Sequence, residues 1–282
     1  MRFILLIITA LLASMQVVAD TITHSGTSVN VDFVNIGNAG NAADSTGYGA
    51  VNHDYRIGKY EVTASQWDTV VAAAGIDEYR TWSGSQPVGT VSWLQAVQFC
   101  NWLTSGNKYT GAYQFDGNGV LTGVNRGAAG IYGTVYVLPT EDEWYKAAYY
   151  TGSGYSLYAN GTDTAPVAGT DALYDNAALS PWIVGSGTME QNGTFDMMGN
   201  VWEMLESTYD GTLDDLYEPR TARGASYSSA ERKLTVRWEV DYLESATDYI
   251  GFRVAAVPEP MSALLIAICA GAAMWIRGRF VD

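Results

Sequence analysis

In the run Gly193-Thr194-Phe195-Asp196-Met197-Met198-Gly199-Asn200-Val201-Trp202-Glu203, two carboxylates bracket a glycine turn. Hard oxygen donors, from side chains and backbone, gathered round a tight turn suit a calcium ion. The same spacing also suits two acidic residues that merely solvate a surface turn. Ser226 and Ser229 have no neighbouring motif that would activate a nucleophile, so ordinary hydrogen bonding is the simpler reading. Carboxylate pairs such as Asp214-Asp215, or Glu141 with Glu143, have the residue types of glycoside hydrolysis. Glu143, however, is placed to cap a helix, and acidic pairs recur in so acidic a chain. Arg223, Arg237 and Arg253 read as ties between loops and buried carboxylates or carbonyls. Histidine occurs only at positions 24 and 53 and cysteine only at 100 and 269, which leaves no Cys/His metal cluster.

Three helices must position these groups, and their caps mark them. Thr63 and Gln66 form a capping box, after which Trp67, Val70, Val71 and Ala74 fall on one face. Ser92 caps a second helix with Trp93, Ala96, Val97, Cys100 and Leu103 as its apolar stripe. Pro139, Thr140 and Glu143 start a third, with Trp144, Ala147 and Ala148 inward. Cys100 on that stripe is expected to be an inert thiol. Short strands are expected at 29–34, 134–138 and 252–256, and the Gly-, Asn- and Asp-rich stretches 106–133 and 152–193 read as loops. The fold class is therefore α+β with much irregular backbone, whose free carbonyls a bound calcium ion would satisfy.

The chain has 282 residues, 48% hydrophobic and 16% charged, enough for one large core or two small ones. Thirty Gly, 19 Tyr and 9 Trp indicate a loop-rich fold packed with aromatics. The net charge is −15, and Arg2, Arg277 and Arg279 lie in end segments, so the body of the chain is no less acidic. Such a surface repels phosphate backbones and excludes nucleic acid as a partner. Cations, or basic and neutral ligands, suit it better.

The ends read as addresses. Residues 1–19 have the charged start, apolar middle and small-residue end of a signal peptide. At the other end, Val257-Pro258-Glu259-Pro260 precedes an apolar run, 261–276, followed by arginines. That run is short for a bilayer span, and its basic flank would stay cytoplasmic. Residues 257–282 resemble a PEP-CTERM sorting signal. The resemblance implies signal peptidase and exosortase as export partners, transient membrane insertion through the C-terminal helix, and release to the envelope, surface or extracellular matrix of a bacterium. A plain C-terminal anchor is the alternative. The globular domain is then 20–256, with no structural disulfide expected.

Several stretches occur in an order that resembles the formylglycine-generating enzyme, or sulfatase-modifying factor, family. They are Lys59-Tyr60-Glu61-Val62-Thr63, Gln86-Pro87-Val88 with Val91-Ser92-Trp93, and Cys100-Asn101-Trp102-Leu103. Leu138-Pro139-Thr140-Glu141-Asp142-Glu143-Trp144, the segment Phe195 to Glu203, Arg223-Gly224-Ala225-Ser226-Tyr227 and Gly251-Phe252-Arg253-Val254 complete the set. The resemblance implies a variant of the C-type-lectin-like fold. It implies calcium held by the side chains of Asp196 and Glu203 and the carbonyls of Gly199 and Val201, with Asn200 and Trp202 shaping the turn. Asp175-Asn176-Ala177 looks like part of a second calcium site whose other ligands have no counterpart in 179–191.

Copper-dependent members use two cysteines that hold Cu(I) as thiolates. Those positions fall on Ser229 and Leu234, so copper and formylglycine-generating activity are not expected. The leading expectation is a non-catalytic surface binding or structural module, with a groove lined by Trp202, Ser226, Tyr227, Ser229 and Arg237 and open to sugars or peptides. An oxidoreductase of formylglycine-generating type with a divergent active site is the alternative. A matrix protein with a mainly structural role is a third.

Overall fold

A computed structural model describes residues 17–77, 79–211, 216–240 and 247–258. The leader up to residue 16, the tail from Glu259 with its apolar run, and Asp214-Asp215 lie outside the described residues. Among the described residues no helix is long and apolar enough to cross a membrane.

The strands β1 (Val17–His24), β2 (Thr27–Ile36) and β3 (Tyr55–Gly58) come first, followed by the helices α1 (Ala64–Ala74) and α2 (Trp93–Ser105). The chain then forms β4 (Tyr113–Phe115), β5 (Leu121–Val124), α3 (Ala129–Tyr132), β6 (Thr134–Val137) and α4 (Glu141–Tyr149). A long stretch without strands leads to β7 (Trp202–Thr208), β8 (Arg220–Arg223), β9 (Trp238–Val240), β10 (Ile250–Gly251) and β11 (Ala255–Pro258). The larger sheet has the order β1-β2-β3-β11-β6, and the smaller β10-β7-β8-β9. β11 is antiparallel to both neighbours, with Ala255 opposite Ile57 on one side and Val137 on the other. This is the expected mixed α+β fold.

The expected boxes at Thr63/Gln66 and Thr140/Glu143 form, and at Ser92, expected as a cap, the structure adds Gln95 to make a third box. Each contributes about 1 kcal/mol by satisfying backbone donors that the first turn leaves free. α1 and α2 stop at Gly75 and Gly106, both left-handed. Their inner faces join the core, where Trp67 stacks on Phe99 at 5.7 Å and both meet Phe252 edge-on. Trp67, Trp93, Trp102 and Trp144 are buried, as is Cys100, whose thiol burial pushes well up.

The strand expected at 252–256 is instead split. Ile250 and Gly251 pair with β7 in the small sheet, while Ala255 onward joins the large one. Between them the chain crosses from sheet to sheet, because Phe252 turns into the helix core and Arg253 into the carboxylates described below. The stretch 106–133, expected to be loop, contains the β4/β5 hairpin and α3; Asp116 closes the hairpin turn by accepting from the backbone of Asn118 and Val120. β1 begins at Val17, on the leader side of the expected cut after Ala19, and pairs in register from Val17↔Val34.

Candidate functional site

The segment 196–203 is buried rather than solvated. Asp196 and Glu203 are 5% and 0% exposed. Asp196 and Asn200 have φ of 61° and 60°, and Gly199 between them has 88°. A left-handed glycine is required here, since a Cβ at 199 would meet the Leu173 carbonyl oxygen at 2.1 Å. The turn delivers Glu203, the second residue of β7, to Arg253. Arg253 Nε and Nη2 donate to Oε2 and Oε1 of Glu203, both at 2.6 Å, and Trp144 Nε1 donates to Oε2 at 2.8 Å. Arg253 also donates to the carbonyls of Gly58 and Phe195, each at 2.9 Å. It therefore ties the loop at 58 and the turn at 195 to the carboxylate, as expected for this arginine.

Two further buried carboxylates, which the sequence reading did not single out, feel this pair. Glu61 accepts from Asn200 Nδ2 at 2.7 Å and from the Val201 amide at 3.2 Å. Burial, then the charges of Asp196 and Glu203, push its carboxyl well up. Glu190, bonded by Thr194 Oγ1 at 2.9 Å, is pushed by burial to about 8. Asp196, which accepts from the Gly185 amide at 2.6 Å, is pushed by burial to about 6. The buried acids outnumber the one guanidinium, so burial favours their protonated forms, and a hard cation bound here would take the place of such a proton. Among the described residues no three His, Cys, Asp or Glu side chains converge to hold a metal by themselves. An ion here would rely on the carbonyls of Gly199 and Val201 and share Glu203 with Arg253. The donor chemistry fits calcium on those terms. The sequence signal for Glu61 is its place in the stretch Lys59 to Thr63, one of those that carry the family resemblance.

The residues expected to line a groove divide into two groups. Ser226 Oγ lies 3.0 Å from Ser229 Oγ and 3.3 Å from Ser228 Oγ. Tyr227 bonds Asp248 through its hydroxyl and meets Trp82 edge-on. Backbone amides of Asp175 and Asn176 donate to the carbonyls of Ser229 and Tyr227, so the 175–177 segment supports this serine loop. Trp202 does not present its ring to solvent: it is 4% exposed and packs on Trp238, which in turn stacks on Tyr249. Arg237, in contrast, donates to Tyr48 Oη and the Tyr209 carbonyl and lies 3.6 Å from Glu141, beside Arg223, which holds Glu141 at 2.7 Å. None of its bonds reaches the serine loop. Its neighbour Trp238, the first residue of β9, packs on Trp202, while Arg237 reaches Tyr48 and Tyr209 instead.

Of the two residues that the resemblance set against copper-binding cysteines, Ser229 is half-buried in the serine loop. Leu234 is fully buried and accepts Tyr149 Oη at its carbonyl. Cys100, on α2, is the one cysteine among the described residues.

Residues 33–257 match the sulfatase-modifying factor enzyme 1-like domain. The chaperone protein LppX of Paenibacillus barcinonensis is 26% identical over 226 aligned positions, covering 68% of this chain and 77% of that protein. Among solved structures, Treponema denticola variable protein 1 superposes with a TM-score of 0.62 at 21% identity, over 86% of this chain and 99% of that one. CarF does so at 0.59 and 24%, over 80% and 97%. PvdO from Pseudomonas aeruginosa follows at 0.53 and 16%, over 86% and 91%. At these identities the structures speak for the fold alone.

Proposed function

The chain belongs to the sulfatase-modifying factor enzyme 1-like domain family, and we propose that within it this protein is a non-catalytic binding or structural module of the bacterial cell surface. The observation that carries the reading is the pair Ser229 and Leu234. Neither offers a thiolate for Cu(I), and Leu234 is sealed in the core. Cys100 is no substitute, since burial keeps its thiol protonated. A relative named a chaperone favours a role without turnover. Of the residues expected to line a groove here, Ser226 and Tyr227 are buried, so the serine loop offers a peptide or glycan the hydroxyls of the exposed Ser228 and the half-buried Ser229.

Calcium belongs to the same proposal as a structural ion. Asp196, Glu203 and the carbonyls of Gly199 and Val201 would hold it, in competition with the protons that burial favours on the neighbouring carboxyls. Its function would be to fix the turn that carries Trp202 and Glu203. Export by signal peptidase and exosortase completes the reading; a protein recovered from the cell surface should begin at Asp20 and lack the C-terminal tail.

The decisive experiment exposes the purified full chain to Cu(I) and to a cysteine-containing peptide with oxygen. No copper binding and no loss of peptide thiol are expected. Stoichiometric copper, or conversion of the cysteine to an aldehyde, would move the protein to the alternative, a formylglycine-generating oxidase with a rearranged site.

A further inference from the structure

The first turn of α4 floors a cleft that lies apart from the serine loop. Its larger part is a cavity of about 610 Å³, walled by Tyr48, Arg126, Asp142, Glu206 and Ser207 among others. A second hollow of about 280 Å³ opens beside His53 and shares Arg126, Thr140 and Asp142 with the first. The two thus meet at Asp142 and Arg126. The larger part has the size of an ordinary small-ligand site.

Charge decides what it can hold. Arg126 donates to both oxygens of Glu143, at 2.7 and 2.8 Å, and its Nε lies 3.1 Å from Glu206 Oε1. Arg223 and Arg237 are spent on Glu141. Every guanidinium at the cleft already faces a carboxylate, so no positive charge is left over for a phosphate, sulfate or carboxylate ligand. The three guanidiniums are met by Glu141, Glu143 and Glu206, which leaves Asp142 as the one carboxylate of the lining without an ionic partner among the described residues. A ligand that brings hydroxyl hydrogens to that carboxylate, and no negative charge, suits the cleft.

The polar groups left unfinished have a specific character. Thr140 and Ser207 accept from the amides of Glu143 and Glu141, at 3.2 and 2.9 Å, so each keeps its hydroxyl hydrogen to give. Asp142 has no ionic partner among the described residues; its Oδ1 accepts from the Gly49 amide at 2.8 Å. Its second oxygen is therefore free to accept where the hollows join. Arg126 Nε is buried without an aligned acceptor, since Glu206 stands within ion-pair range but off the N–H direction. Hydroxyl donors beside a single unpaired carboxylate acceptor match the adjacent hydroxyls of a sugar, which give and accept at once.

We propose that this cleft binds a neutral saccharide, with Asp142 accepting from ligand hydroxyls at the junction and the sugar chain passing over Arg126 from one hollow to the other. The inference rests on the reading of the chain as a binding module and deepens it by naming a ligand class and a second site.

The test titrates the purified full chain with maltotriose, cellotriose and laminaritriose, and with a chitosan trimer and a trigalacturonate as cationic and anionic counterparts. At least one neutral trisaccharide should bind, the charged ones should not, and Asp142→Asn should weaken binding about tenfold, the effect of one charge-assisted hydrogen bond. Asn keeps an acceptor for the Gly49 amide, so the melting temperature should hold. Slower hydrogen exchange at the amides of Tyr48 and Gly49 on adding the sugar would locate it independently of any variant. Neutral binding lost in Tyr227→Ala but kept in Asp142→Asn overturns the cleft and leaves the binding-module reading standing. Preference for a charged trimer, or no binding by any of the five, also overturns the cleft; copper and peptide turnover then decide the wider reading.

Discussion

Arg253 and Glu203 meet side-on with neither side chain touching solvent, two guanidinium nitrogens each 2.6 Å from a carboxylate oxygen. A buried pair in this geometry costs desolvation on both sides, so its net contribution is modest, but removing one partner strands the other. Arg253→Ala should lower stability by about 3–5 kcal/mol. Glu203→Gln should cost less, because an amide oxygen still accepts. Urea unfolding of the two variants checks the order, and equal losses would show that the charge itself is not what matters.

Glu190 sets a pH dependence of its own. Burial raises its carboxyl from the ordinary 4.5 to about 8 in the folded protein. The folded state therefore holds a proton that the unfolded state releases near 4.5. The stability tied to that proton is complete below pH 4.5 and is lost as pH rises to about 8. Glu190→Gln, which still accepts from Thr194, should flatten this fall and be more stable than the wild type at pH 8.5. Melting temperatures from pH 5 to 9 read the difference, and parallel curves for the two proteins would refute it.

Gly199→Ala is expected to be among the most damaging single-methyl additions. The residue sits at φ 88°, and the added carbon would lie on the Leu173 carbonyl oxygen. Strain and clash together should exceed about 3 kcal/mol. The amide of Asn200 also donates to that carbonyl, so the loss should appear as faster hydrogen exchange at Asn200 as well as in global unfolding.

Calcium should raise the melting temperature and a chelator lower it, by an amount that grows with the logarithm of free ion above the dissociation constant. In Asp196→Ala the rise should disappear. A melting temperature indifferent to calcium in the wild type would mean that Arg253 alone serves as the counter-ion.

The helices were legible because their signals are local. A capping box spans four residues, and Thr63, Ser92 and Thr140 each cap as expected. β7 was not legible, since burial on both faces removes the alternation that would mark Trp202 to Thr208 as a strand. Asp196 and Glu203 were visible as a pair, but not that they are buried. Their environment is built by Glu61, Glu190 and Arg253, and Glu61 meets Asn200 across 139 positions. Arg237 was expected in one groove with Ser226 and Tyr227, whereas its side chain reaches Tyr48 and Glu141, contacts that come from distant segments of the chain. The cleft at α4 had no sequence signature, as its walls come from four separated segments. The resemblance supplied the fold, since its motifs are the turns and caps that hold the sheets together.

The place of β11 between β3 and β6 has a consequence for how the protein comes to exist. The large sheet cannot close until its last strand, Ala255–Pro258, has been synthesised and has slid between partners made long before. Contacts so distant along the chain make for slow folding. A nascent chain threaded through a membrane pore would therefore stay open, and able to pass, until almost its whole length had emerged. The same arrangement makes the domain sensitive to trimming at its end: a cut before Ala255 would remove a central strand rather than an edge.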